Sequence, residues 1–309
     1  MFSNMDQLLE AAKSLPKKQR LVLAAAQDKD ALEAVKDAVE WGIVEAILVG
    51  DSKKIAEIAE EIGLDTGKCQ VIDEIDPVQA ARKAVALVSA GKGDLVMKGK
   101  VGTADILRAV LDKEQGLRTG KLLSHVTTLG IEGYDRLIFM TDGAMNVAPD
   151  LSQKKQIIEN AVAVARALSV EKPKVAVIGA VELVNPDMPA TTDAALLAKM
   201  CDRGQIKDAV VDGPLALDNA VSSHSAKIKG IVSPVAGKAD ILVMPDIEAG
   251  NVLYKGAVYF ANARAASVIA GAKAPVVLTS RSDSHQAKLD SIALCALIAG
   301  QNQNNGGEK

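Results

Sequence analysis

Several stretches of this 309-residue chain place polar side chains where an apolar run hands over to a helical pattern. Thr279-Ser280-Arg281-Ser282-Asp283-Ser284 follows one such run, residues 275–278, and opens a pattern that ends near Gly300. Backbone N–H groups at a helix start attract anions. The Arg281 guanidinium is a fork that matches phosphate-like oxygens, and Ser280 adds a hydroxyl. The same turn also reads as an ordinary Ser or Asp cap with Arg281 in solvent, the commoner use of these residue types.

A second turn, Lys98-Gly99-Lys100-Val101-Gly102-Thr103-Ala104-Asp105, has glycines that admit close backbone approach and lysines that add charge. Lys100 and Thr103 are its candidates for anion binding. The bland alternative is a glycine turn with Thr103 as cap. A third stretch runs from Ser233-Pro234-Val235-Ala236-Gly237-Lys238-Ala239-Asp240 through an apolar run to Pro245-Asp246-Ile247-Glu248-Ala249-Gly250-Asn251, then to Tyr254 and Lys255. Asp246 and Glu248 read as metal ligands or bases, or as helix N-terminal acids favoured by the dipole; the dipole reading is preferred for Glu248, and the two stand even for Asp246.

Other chemistries find no pattern. The P-loop, the G-x-S-x-G elbow and the G-x-G-x-x-G fingerprint are missing. His125, His224 and His285 are too scattered for a metal cluster, and His125 reads as structural. Cys69, Cys201 and Cys295 have neither disulfide nor zinc spacing, which fits a reducing compartment.

The elements that must position these turns alternate. Strands are expected at 20–24, 43–49, 70–72, 94–97, 136–140, 174–178, 208–211, 240–243 and 275–278, with helices such as 30–41, 53–62 and 77–90 between them. Asp76 before Pro77 is a good helix start. This alternation predicts α/β architecture with a mostly parallel sheet. Ligands then belong beyond the carboxyl ends of the strands. With one Trp, three Tyr and three Phe, the core must be aliphatic. A formal charge of −3 gives no reason to expect nucleic acid. The charged N-terminus is not a signal peptide, and no apolar run is long enough to span a membrane. A cytoplasmic protein is expected. The tail 301–309 is expected to be disordered.

Taken in order, Ser233–Asp240, Pro245–Lys255 and Ser280-Arg281 resemble the C-terminal signature of the phosphate acyltransferase family. Val211-Asp212-Gly213-Pro214 with Leu217-Asp218, Thr141–Asn146 and Thr103-Ala104-Asp105 resemble further family blocks. The likeness spans roughly residues 94–300 and looks closer to the butyryl than to the acetyl members. The resemblance implies two α/β domains with a cleft between them, in the architecture of the isocitrate and isopropylmalate dehydrogenases. Residues 1–137 with 275–309 would form one domain and 138–274 the other. It implies transfer of a short acyl group between coenzyme A and inorganic phosphate, a homodimer, no metal, and no cofactor beyond CoA as substrate. Ser280 would bond the thiol or a developing oxyanion, and Arg281 would hold phosphate. Asn251 and Lys255 resemble positions near CoA. The family aspartate that would take the thiol proton falls at Ala287, so Asp283, placed in the first helical turn, becomes the candidate base. Two other readings use the same residues. A metal- and NAD-dependent 2-hydroxy-acid dehydrogenase on this architecture needs converging carboxylates that the sequence does not reveal. A non-catalytic binder of CoA or acyl phosphate needs only the turns.

Overall fold

The computed structural model describes residues 2–280 and 283–306, the last four by backbone alone. Arg281 and Ser282 lie outside the described residues. The chain divides into two compact units. A terminal unit comprises Met5–Lys121 and Ala265–Lys309, and a middle unit comprises Met1–Asn4 and Leu122–Arg264.

The terminal unit starts with α1 (Met5–Lys13), β1 (Gln19–Ala24), α2 (Lys29–Glu40), β2 (Val44–Gly50), α3 (Ser52–Ile62), β3 (Cys69–Asp73), α4 (Pro77–Ser89), β4 (Leu95–Lys98) and α5 (Thr103–Val110). The middle unit adds β5 (Ser124–Gly130), β6 (Ile138–Thr141), α6 (Leu151–Ala167), β7 (Lys174–Ile178), α7 (Pro189–Asp202), β8 (Val210–Leu215), α8 (Leu217–Val221), α9 (Ser223–Ile228), β9 (Ile241–Val243) and α10 (Ile247–Phe260). The chain returns to the terminal unit through β10 (Arg264–Ala270), β11 (Val276–Val277) and α11 (His285–Gly306).

In the terminal unit the strand order is β3-β2-β1-β4-β11-β10. All neighbours are parallel except β10 with β11. Leu21, Val22 and Leu23 of central β1 are fully buried, as expected of a parallel strand covered on both faces. Helices begin on aspartate caps that take orphan N–H groups: Asp28 from Ala31, Asp51 from Lys54, and Asp76 from Val78 and Gln79 ahead of Pro77. At the opposite edge Arg20 forks onto Asp94 at 2.7 and 3.0 Å. Burial alone would raise the Asp94 carboxyl, but the Arg20 guanidinium and backbone N–H outweigh it and hold it below its ordinary value.

In the middle unit the order is β5-β6-β9-β7-β8, with β5 antiparallel to β6 and the rest parallel. The sheet is thus mostly parallel, as expected, but β5 and β10 are strands that hydrophobic patterning does not anticipate. The strand expected at 208–211 is displaced to Val210–Leu215. Asp208 sits in the left-handed region at φ 59°, so it cannot extend a strand. Among the described residues no helix is long and apolar enough to cross a membrane.

Candidate functional site

In the terminal unit β4 and β11 are parallel neighbours, with Val96 opposite Val276 and Met97 opposite Val277. Their following turns therefore leave the sheet at the same carboxyl edge, where ligands of open α/β sheets bind. The turn after β4 folds over the end of β1. Gly99 N–H donates to Ala24 O at 2.8 Å, and Lys100 N–H donates to Ala25 O at 2.9 Å. Only glycine fits at 99, since a Cβ there would lie 2.5 Å from Ala25 O and 2.8 Å from Ala24 O. Ala25 is itself left-handed at φ 53°, a conformation that costs a non-glycine residue about 1–2 kcal/mol. That strain aims a carbonyl at the Lys100 N–H. Lys100 and Thr103 are both exposed. The cap of α5 is Gly102, which makes no side-chain cap bond, so Thr103 is the first helical residue rather than the cap.

Ser280 is exposed and leaves the same edge after β11. Its N–H donates to Asp283 Oδ2 at 2.7 Å, and the Asp283 N–H donates back to Ser280 O at 3.2 Å. Asp283 does not lie in the first helical turn. Ser284 is the residue whose Oγ accepts the Ala287 N–H at 3.1 Å, and α11 starts at His285. Asp283 thus stands two residues before the helix, where its carboxylate meets the Ser280 N–H. Asp290 is fully buried and accepts from Gln286 Nε2 at 2.9 Å. Arg281, between Ser280 and Asp283, lies outside the described residues.

The middle unit brings its candidates to the carboxyl ends of β6 and β9. Asp246 Oδ1 accepts the Ala249 N–H at 2.8 Å, so Asp246 is the cap of α10. Gly250 packs on the turn after β6, where a Cβ would lie 2.5 Å from Asp142 O. Asn251 Nδ2 donates to Gly143 O at 3.3 Å. Lys255, exposed and four residues further along, shares the Asn251 face of the helix. His125 is buried at the start of β5, consistent with a structural histidine.

Asp142 is a residue the sequence candidates omit. It is 3% exposed. Oδ1 accepts from Ala144 and Met145 N–H at 2.9 Å each, and Oδ2 accepts from His125 N–H at 3.1 Å and Asn146 Nδ2 at 2.7 Å. It thereby ties β5, the end of β6 and the turn beneath Asn251 together. In the sequence it is marked by an Asp-Gly pair directly after an apolar run, with Asn four residues on, inside the Thr141–Asn146 block that resembles the family. The Thr141–Asp142 and Gly213–Pro214 peptides are cis.

Other nucleophiles are poorly placed. Burial pushes both the Cys295 and the Cys69 thiols up from their ordinary values, which disfavours thiolate. Among the described residues no three His, Cys, Asp or Glu side chains gather to hold a metal ion.

Comparison with known proteins gives one family. The model described as "Phosphate acetyl/butaryl transferase" matches residues 3–80 and 74–296. A Clostridium beijerinckii protein named phosphate butyryltransferase is 52% identical over 303 residues, covering 98% of this chain and 100% of that protein. The crystal structure of a branched-chain phosphotransacylase from Enterococcus faecalis V583 aligns with a TM-score of 0.81 at 32% identity, covering 91% of this chain and 99% of that one. A 4-hydroxythreonine-4-phosphate dehydrogenase from Klebsiella pneumoniae aligns with a TM-score of 0.57 at 14% identity, covering 92% and 100%. That last likeness is one of fold alone, and it matches the dehydrogenase-like architecture expected from the sequence.

Proposed function

The chain belongs to the phosphate acetyl/butaryl transferase family, and we propose on that premise that it moves a short acyl group, butyryl by preference, reversibly between coenzyme A and inorganic phosphate. The observation that carries this reading is the convergence of the Lys100–Thr103 and Ser280 turns on one carboxyl edge of the terminal unit, in a chain so similar to a phosphate butyryltransferase.

In the direction of thioester synthesis, the CoA sulfur forms a bond to the acyl carbon. The bond from that carbon to the phosphate oxygen breaks, and phosphate leaves. Reversal gives acyl phosphate and free CoA. Ser280 hydrogen-bonds the sulfur or the developing oxyanion, and Arg281 holds the phosphate. Asp283, already beside Ser280, is the candidate acceptor of the thiol proton. Lys100 and Thr103 contact phosphate groups, and Asp246, Asn251 and Lys255 line the approach of CoA. The reaction needs no metal and no cofactor beyond CoA as substrate. The two units serve as the two family domains, and the free thiols accord with a cytoplasmic setting.

Thiol release from acetyl-, propionyl-, butyryl- and valeryl-CoA, followed with a chromogenic disulfide, tests the reaction. The expected result is release that requires phosphate, with the highest specificity constant on butyryl-CoA. Each methylene in an apolar pocket is worth about 1–3 kcal/mol, so the acetyl ester should trail by on the order of a hundredfold. Release indifferent to phosphate would mean a thioesterase. A higher constant for acetyl-CoA would remove the butyryl preference and leave acyl transfer standing.

A homodimer is part of the same reading. Helix α10 is rich in apolar residues, yet Val252, Tyr259 and Phe260 are 71%, 65% and 93% exposed. A second copy is the occupant that a face of this kind suits. Light scattering should give twice the chain mass for the parent and a single chain mass for Phe260→Asp. A monomeric parent would dispose of the dimer.

A further inference from the structure

We propose that Lys100 is a modification site: the acyl phosphate that this chain forms acylates the Lys100 side-chain amine, and the modification slows the chain that made the donor. The inference rests on the acyl-transfer reading and on the turn after β4 as a contact for phosphate groups.

Lys100 is exposed, although Gly99 before it and Val101 after it are both buried. Its N–H donates to Ala25 O at 2.9 Å, the Gly99 N–H donates to Ala24 O at 2.8 Å, and the Val101 N–H turns back to Gly99 O at 2.9 Å. The backbone is thus fixed on both sides, and Lys100 is the residue that this stretch presents to solvent. It does so at the carboxyl edge, where Ala24 of β1 lies opposite Lys98 of β4. Lys92 is its counterpart at the other edge. It too is exposed, and it stands ahead of β4 as Lys100 stands after it. Among the described residues no carboxylate pairs with either ammonium. One strand therefore separates two lysines of like exposure. Only Lys100 is at the edge where ligands of open α/β sheets bind.

Acyl phosphate is a mixed anhydride, and a lysine amine is a nucleophile that takes acyl groups. The neutral fraction of the Lys100 amine attacks the acyl carbon. A C–N bond forms, the bond from that carbon to the phosphate oxygen breaks, and phosphate leaves with the electron pair. The amine proton passes to water. The product is an amide without the positive charge of the lysine. The CoA sulfur and the Lys100 amine compete for the same carbon, so abundant CoA spares the lysine. When CoA is scarce and acyl phosphate accumulates, the amine reacts. Loss of its charge removes a contact for phosphate, and turnover falls as the product builds up. Position sets the preference, because an amine held beside a bound donor reacts at an effective concentration far above that in bulk.

The test incubates the parent with butyryl-CoA and phosphate and reads butyryl occupancy at Lys100 and Lys92 by peptide mass spectrometry. Lys100 should exceed Lys92 by on the order of tenfold or more. Butyryl-CoA without phosphate should leave the two lysines alike. Butyryl phosphate added without CoA should again favour Lys100, and excess inorganic phosphate at constant ionic strength should erase that preference. After the substrates are removed, the initial rate of the parent should have fallen in step with Lys100 occupancy. Lys100→Arg keeps a charge in the turn and takes no acyl group, so it should retain its own starting rate. Equal occupancy at the two lysines, during turnover or with added butyryl phosphate, overturns the proposal. So does preferential labelling of Lys100 by butyryl-CoA alone, which makes the thioester the donor, and so does a Lys100→Arg variant that loses rate as the parent does. Should Lys100→Arg lack activity, the occupancies in the parent decide. If phosphate elicits no thiol release, the acyl-transfer reading fails by itself, and a phosphate-sensitive preference for Lys100 with added butyryl phosphate still marks the site.

Discussion

Replacing Arg281 with alanine is expected to lower kcat by about 10²–10³-fold with butyryl-CoA and saturating phosphate. Removal of one preorganised donor facing charge that develops in a transition state has this typical size. Arg281 is assigned here by sequence, through its place next to Ser280 in the family signature. On either side of it, the Ser280 N–H donates to Asp283 Oδ2 and Ser284 Oγ accepts the Ala287 N–H. Lysine should not rescue the variant, because an ammonium is a point charge and cannot copy two parallel N–H donors. Ser280→Ala should fall less far, since a hydroxyl is a neutral donor and makes weaker bonds than a charged one. Steady-state thiol release across phosphate concentrations reads all three. Parental kinetics in Arg281→Ala would make Arg281 a surface residue beside a cap.

How far the sequence discloses such a site depends on what hides each part. Aliphatic strands buried on both faces are legible: residues 174–178 were expected as a strand and Lys174–Ile178 is one. Edges shift where a side chain finds another use. Asp94 was expected to start β4, but its carboxylate turns back to Arg20 and the strand begins at Leu95. Strand β5 is hidden by composition, because Ser124, His125, Thr127 and Thr128 are polar yet buried. Strand β10, Arg-Ala-Ala-Ser-Val-Ile-Ala, has the alanine content of a helix and owes its conformation to tertiary context. The turns bearing Lys100, Thr103 and Ser280 were visible because a parallel sheet makes the end of each strand informative. Ala25 was not, since nothing in an Ala-Ala-Ala run announces a left-handed residue. Lys288, only 5% exposed, was not either, since a lysine one turn into a helix ordinarily points to water.

Asp142→Ala should destabilise the protein by about 3 kcal/mol, judged from the penalty of roughly 1–3 kcal/mol for each buried donor left without its partner. The carboxylate serves four donors, which do not count alike. Ala144 is exposed and Met145 half-buried, so water can replace Asp142 at those two N–H groups. His125 is buried, and its N–H at 3.1 Å has no such substitute. Asn146 Nδ2 also donates to Leu123 O at 3.0 Å and retains that bond. Most of the cost thus falls on the His125 N–H and on the turn that the carboxylate closes. Asparagine is an informative second variant. Its carbonyl oxygen can face Ala144 and Met145, but its NH₂ then confronts the His125 N–H and Asn146 Nδ2, two donors against a donor. Asp142→Asn should therefore recover only part of the loss, although it matches aspartate in size. Function should follow, because the turn carries Gly143 O, the acceptor of Asn251 Nδ2. Loosening that acceptor should raise the KM for acyl-CoA more than the KM for phosphate, whose proposed contacts lie in the terminal unit. Urea unfolding of the parent, Asp142→Ala and Asp142→Asn reads the stability, and initial rates with each substrate varied in turn read the split. Variants within about 0.5 kcal/mol of the parent, the range of ordinary surface substitutions, would mean that the turn closes without its carboxylate.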